Sequence, residues 1–161
     1  MHEFLMSFGK MLEGTWWGRD VRMTLWGYPF VQLIHYSGLA MWLGTNIALD
    51  LRLMGAGKGR QTARELRDAL FAWNWIAFCI VVFGGILLLS GTATAYLSNP
   101  AFEVKLGVFV PLALIWHIFV QQKARSWGET METPLVAKFA GALEMLLWIC
   151  AVTAAVEIPN Y

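Results

Sequence analysis

The run YPFVQLIHYSGLAMWLGTNIALDLRL, residues 28–53, decides how the rest of the chain is read. It is long enough to cross a bilayer, because a helix rising 1.5 Å per residue spans a hydrocarbon core of roughly 30 Å in about 20 residues. Yet it carries Gln32, His35, Asn46 and Asp50. At about 100° per residue, Gln32, His35, Gly38, Trp42, Asn46 and Asp50 all fall within about 60° of His35. The polar residues therefore form one stripe on an otherwise apolar helix. Polar groups inside a membrane are costly and turn toward a bundle interior or a cavity. The run reads as a transmembrane helix whose stripe faces other helices.

Composition agrees. Of 161 residues, 58% are hydrophobic and only 14% charged, with nine Trp and ten Phe. A soluble domain of this size has too little interior to hide so much apolar surface. Three further runs are long enough to span: about 70–97, about 102–120 and about 135–158. Pro29 sits near the start of the first span. Asn99-Pro100 and Thr133-Pro134 read as N-caps followed by proline before the third and fourth. The fold class is all-α, a four-helix transmembrane bundle over 28–161. Cys79 and Cys150 lie in apolar runs and read as small packing residues.

Residues 1–27 differ. Phe4, Leu5, Phe8, Met11 and Leu12 share one helical face, with Glu3, Ser7, Lys10 and Glu13 on or near the other. With Trp16 and Trp17 following, this segment reads as an amphipathic helix lying in the membrane interface. The broken apolar run and Glu3 argue against a signal peptide. Arg52, Lys58, Arg60, Arg64, Arg67, Lys123, Arg125 and Lys138 lie toward one side of the membrane. Only Lys10, Arg19, Arg22 and Lys105 lie toward the other. The excess of basic residues assigns the first set to the cytoplasm. This predicts a multi-pass protein of a bacterial inner membrane with both termini outside, its partners being lipid and further protein. The net charge of +1 gives no reason to expect nucleic acid.

Two more ionisable residues lie inside spans. His117 shares a face with Leu106, Val110, Ala113 and Gln121. Glu144 shares one with Ala137, Ala140, Gly141, Trp148, Ala151 and Ala155. Small residues so spaced mark close helix packing, which predicts a buried Glu144. Ala77, Gly84 and Gly91 repeat every seven residues in the second span and leave room for something bulky. Each polar residue also has a plain reading. A histidine can bond a carbonyl of the next helix, and a protonated glutamate can bond a neighbour.

Histidines on two different helices point to haem b, since neutral imidazole is its common axial ligand in membrane cytochromes. His35 and His117 are the candidate iron ligands, Gly38 and Trp42 candidate ring contacts, and Arg22 and Lys105 candidate partners of the propionates. Counting residues from the span ends puts the two histidines roughly 10 Å apart in depth. That predicts separate sites near opposite surfaces, each completed by a second copy of the chain.

The His35 and Trp42-Leu43-Gly44 spacing resembles the first helix of copper-resistance-D-like and cytochrome-b-like membrane proteins. DLRLMG, residues 50–55, and NPAFEVK, residues 99–105, followed by His117, resemble an uncharacterised bacterial four-helix family. The resemblance covers most of 25–125 and implies a multi-helix membrane protein connected with redox or metal chemistry. Three functions stay open at this stage. The first is a b-haem protein transferring electrons, with quinone as a candidate reactant, and it is an electron-transfer subunit more than a stand-alone enzyme. The second is a cofactor-free accessory subunit of a membrane complex or homo-oligomer. The third is a carrier of protons or metal ions using Asn46, Asp50, His117 and Glu144.

Overall fold

The computed structural model of the chain describes residues 2–21, 24–57 and 59–156. Among the described residues it is helical and contains no strand. Helix α1 covers His2–Glu13, α2 Gly27–Leu53 and α3 Ala63–Leu89. The single turns α4 (Ala93–Leu97) and α5 (Pro100–Val104) follow. A π-helical turn over Lys105–Phe109 joins α5 to α6 (Val110–Trp127), and α7 covers Leu135–Val156.

Local chemistry explains these limits. Asn99 Oδ1 accepts from the backbone N–H of Ala101 at 2.9 Å and Phe102 at 3.3 Å, with Pro100 in the first turn. This is the N-cap expected from the sequence. Thr133 does otherwise: its hydroxyl donates to the Leu53 carbonyl at 2.6 Å, tying the segment before α7 to the end of α2 instead of capping α7. The second span sits closer to the basic loop than residues 70–97 implied. Thr62 and Glu65 form a reciprocal capping box that starts α3 at Ala63, satisfying amide groups otherwise left open at a helix start. The helix stops at Leu89, and residues 93–97 form α4 instead of extending it.

Three helical stretches are long and apolar enough to cross a membrane: Ala63–Leu89, Pro100–Trp127 and Leu135–Val156. They make this a multi-pass membrane protein. Helix α2 matches them in length, but its polar stripe lowers its hydropathy below theirs. The four long elements close a ring in which α2 packs on α3 and α7, and α6 packs on the same two. The predicted stripe faces inward, with Gly38, Trp42, Asn46 and Asp50 all buried while Gln32 and His35 are half-buried.

The α2–α3 and α6–α7 loops meet at one end. The Arg64 amide donates to the Gly128 carbonyl, and Arg52 donates from Nε to the Gln61 carbonyl at 2.7 Å and from Nη2 to the Met131 carbonyl at 2.9 Å. At the other end α1 packs on α4. Glu13 Oε1 accepts from both the amide and the hydroxyl of Thr94 at 2.8 Å. The carboxylate of one helix thus caps the next.

Glycine decides how closely α2 approaches α3. A Cβ added to Gly84 would lie 2.8 Å from the His35 Cα, and one added to Gly38 would lie 2.7 Å from Ile80 Cγ2. Neither gap admits a methyl group. The room that Gly84 leaves is taken by α2 itself.

Candidate functional site

The ring encloses one polar cluster. Asn46 and Asp50 come from α2, Asn74 from α3, His117 from α6 and Glu144 from α7, and each is 1% exposed or less. His117 Nδ1 lies 2.5 Å from Glu144 Oε1, and Nε2 lies 3.0 Å from Asn74 Oδ1. The Asn74 amide nitrogen donates to Thr45 Oγ1 at 2.8 Å and to Asn46 Oδ1. The Thr45 hydroxyl in turn donates to the Trp42 carbonyl.

These bonds determine where the protons are. Asn74 turns its NH2 toward two acceptors, so its oxygen must face His117, and Nε2 must carry a hydrogen to bond it. Nδ1 then either accepts a proton from neutral Glu144 or donates one to the carboxylate. The two states hold the same number of protons and differ in which atom carries one of them. Both leave the pair neutral overall, as a low-dielectric interior favours.

Aromatic rings enclose the imidazole. Its centroid is 5.7 Å from that of Trp75 and 6.0 Å from that of Trp42, the latter edge-on. Trp42 also packs edge-on at 4.3 Å against Trp148. On the other side stand groups whose hydrogen bonds are incomplete. The Asp50 carboxyl and Glu144 Oε2 have no partner beyond one another and Gln121 Oε1 has none, while around the imidazole Asn46 Nδ2 and the indole N–H groups of Trp42, Trp75 and Trp148 are unpartnered too. The Asp50 and Glu144 carboxyl groups interact with one another. A buried polar group left unbonded costs about 1–3 kcal/mol, and this cluster leaves both donors and acceptors so. Among the described residues, no three of His, Cys, Asp and Glu converge as a metal-binding group.

The histidines do not meet. His117 lies beside Trp42, which is two turns along α2 from His35, so the levels differ by about 10 Å. His35 is half-buried, and its Nδ1 is 2.9 Å from the Val81 carbonyl. Nδ1 therefore carries the hydrogen and Nε2 keeps its lone pair. Lys105, half-buried in the π-helical turn, interacts electrostatically with this ring. Gly38 serves the α2–α3 contact, Trp42 belongs with His117, and Gln32 lies a turn beyond His35. Arg22 lies outside the described residues.

Asn74 is the residue the sequence reading passed over. An asparagine within AWNWIAF, three positions before Ala77 on the small-residue face, was the available signal. No protein family, curated protein or solved structure matches this chain. The site rests on its own chemistry.

Proposed function

We propose that the chain is an integral membrane proton carrier whose working group is the His117–Glu144 pair with Asp50 beside it. One observation carries this reading: a buried imidazole and carboxyl share a 2.5 Å hydrogen bond, and a second buried carboxyl, Asp50, interacts with that same Glu144. The pair has two positions for one proton, and the Asp50 carboxyl beside Glu144 adds a third. Buried ionisable groups in membrane helices commonly form such relays.

In this reading all four long helices cross the membrane. The basic loops face the cytoplasm, and α1 lies in the outer interface with Phe4, Met11 and Trp16 exposed toward lipid. The decisive experiment is proton flux into vesicles containing the purified protein, driven by an imposed potential and followed with an enclosed pH dye. Wild type is expected to conduct, and Glu144→Gln to lose conduction while staying folded. Equal flux in both would overturn the reading. Cysteine labelling at Gly59 from outside intact cells would overturn the orientation.

A b-haem electron carrier is the second reading, and His35 favours it. Nδ1–H held by a backbone carbonyl, with Nε2 free, is how a ligating histidine is usually fixed. His35 would hold the iron, and Lys105, which interacts electrostatically with this ring, would be the cation for a propionate. His117 fits less well, because both ring nitrogens are already bonded. A haem here would supply a one-electron centre, and a second copy or another subunit would complete its site. A Soret band lost in His35→Ala and kept in His117→Ala supports this reading; a colourless wild type removes it.

A further inference from the structure

We propose that Asp50 is the residue through which protons reach the His117–Glu144 pair, from the end of the bundle that carries the basic loops, and that the indoles of Trp42, Trp75 and Trp148 seal the pair from the opposite end. This rests on the proton-carrier reading above.

The polar groups form a ladder. Arg67 donates to the Gln121 carbonyl at 3.2 Å near the basic end. Gln121 is one turn beyond His117 along α6. Asp50 lies in the last turn of α2, where a Cβ on Gly141 would be 3.0 Å from its carbonyl oxygen. Gly141 is three residues before Glu144, about 4.5 Å closer to the basic end. Asp50 thus stands between that end and the pair. Its carboxyl interacts with that of Glu144.

Other buried charges do not compete for this role. Of the buried titratable or charged groups on the neighbouring elements, α7 brings Glu144, α6 brings His117 and α3 brings Arg67, while Arg52 follows on α2 itself. Arg52 is bonded to the Gln61 and Met131 carbonyls, and Arg67 to the Gln121 carbonyl and Asp68. Neither guanidinium hydrogen-bonds Asp50.

The opposite side has no ladder. Beyond His117, Trp42 packs on Phe78 at 5.0 Å and on Trp148 at 4.3 Å, and Trp75 packs on Phe78 at 5.6 Å. Ala77, Ala113 and Ala151 fill the same layer. The next ionisable groups along α2 are Tyr36, which is exposed, and His35, two turns away and bonded to Val81. The basic end offers a row of polar side chains, and the other end a packed layer of rings and alanines in which the indole N–H groups of Trp42, Trp75 and Trp148 have no partner to pass a proton to.

The test is the rate at which the buried carboxyl groups change protonation after a pH jump, read by time-resolved infrared absorbance of the full chain in detergent. Asp50→Asn is expected to slow that rate about a hundredfold, the scale of a well-placed proton relay, with the Glu144 band reaching the same end point. Asp50→Glu restores the rate. Azide, whose small conjugate acid diffuses freely, speeds Asp50→Ser, a second variant that leaves space for it. Adding Trp42→Ala to Asp50→Asn also restores fast exchange by opening the sealed side. A wild-type rate in Asp50→Asn overturns the proposal and leaves the carrier reading standing. Slow exchange in Asp50→Asn that neither Asp50→Glu nor azide on Asp50→Ser relieves overturns it too, since the residue is then structural. A wild type with no protonation change defeats both.

Discussion

His35 and His117 are the same side chain in the same bundle, two turns apart in depth, and their surroundings give them opposite characters. His35 is half-exposed and bonded once, to a backbone carbonyl. Its Nε2 keeps a lone pair. His117 is fully buried and bonded twice to side chains of two other helices. Its chemistry is internal. Glycine accounts for much of the difference. Gly84 draws the α3 backbone onto His35, so no side chain fits between the helices there. At the level of His117 the neighbouring helices present Asn74 and Glu144 instead.

The contrast predicts a graded set of losses. Glu144→Leu should be the most damaging, because it leaves His117 Nδ1 buried without its partner. About 3 kcal/mol of stability is expected to go, seen as a fall in thermal midpoint in detergent, together with all proton flux. A loss under about 1 kcal/mol would mean that His117 is not held by this pair.

Gly84→Ala comes next. The new methyl would meet the backbone of α2 at 2.8 Å, and a packed backbone yields only at a cost of about 2 kcal/mol. A neutral result would show that α2 and α3 are not locked at this level.

His35→Ala removes one hydrogen bond from a half-exposed site and should cost about 0.5–1 kcal/mol. Flux through the His117 cluster should be unaffected. A large drop in stability or flux would erase the distinction between the two histidines.

The smallest effect is expected at Gly44, where an added Cβ meets nothing within 4 Å. Gly44→Ala should leave flux unchanged and raise stability by about 0.5–1 kcal/mol through helix propensity. A destabilised variant would show that this open face is covered by another chain.

Much of this was legible in the residue order. The stripe from Gln32 to Asp50 follows from helix periodicity alone, and so does the small-residue face that buries Glu144. Asn99-Pro100 marked a helix start because an N-cap is a local device that needs no partner from elsewhere in the chain. The basic ends of the helices likewise meet at one end of the bundle, as alternating directions require.

What the sequence by itself determined was therefore whatever depends on neighbours within a turn or two: helical class, apolar length, which face of each helix is polar, and the depth of each histidine. Only the tertiary structure decided which polar faces meet. Thr133 looks like a cap and instead bonds Leu53, which lies 80 residues earlier. Asn74 looks incidental within its own helix and becomes the link between His117 and Asn46. Side chains 28 and 43 positions apart bond across it, and no pattern within one helix records such distances. Hydrogen bonds between helices are set by rotation and closeness of approach, and here those are set by where Gly38, Gly84 and Gly141 let the backbones touch.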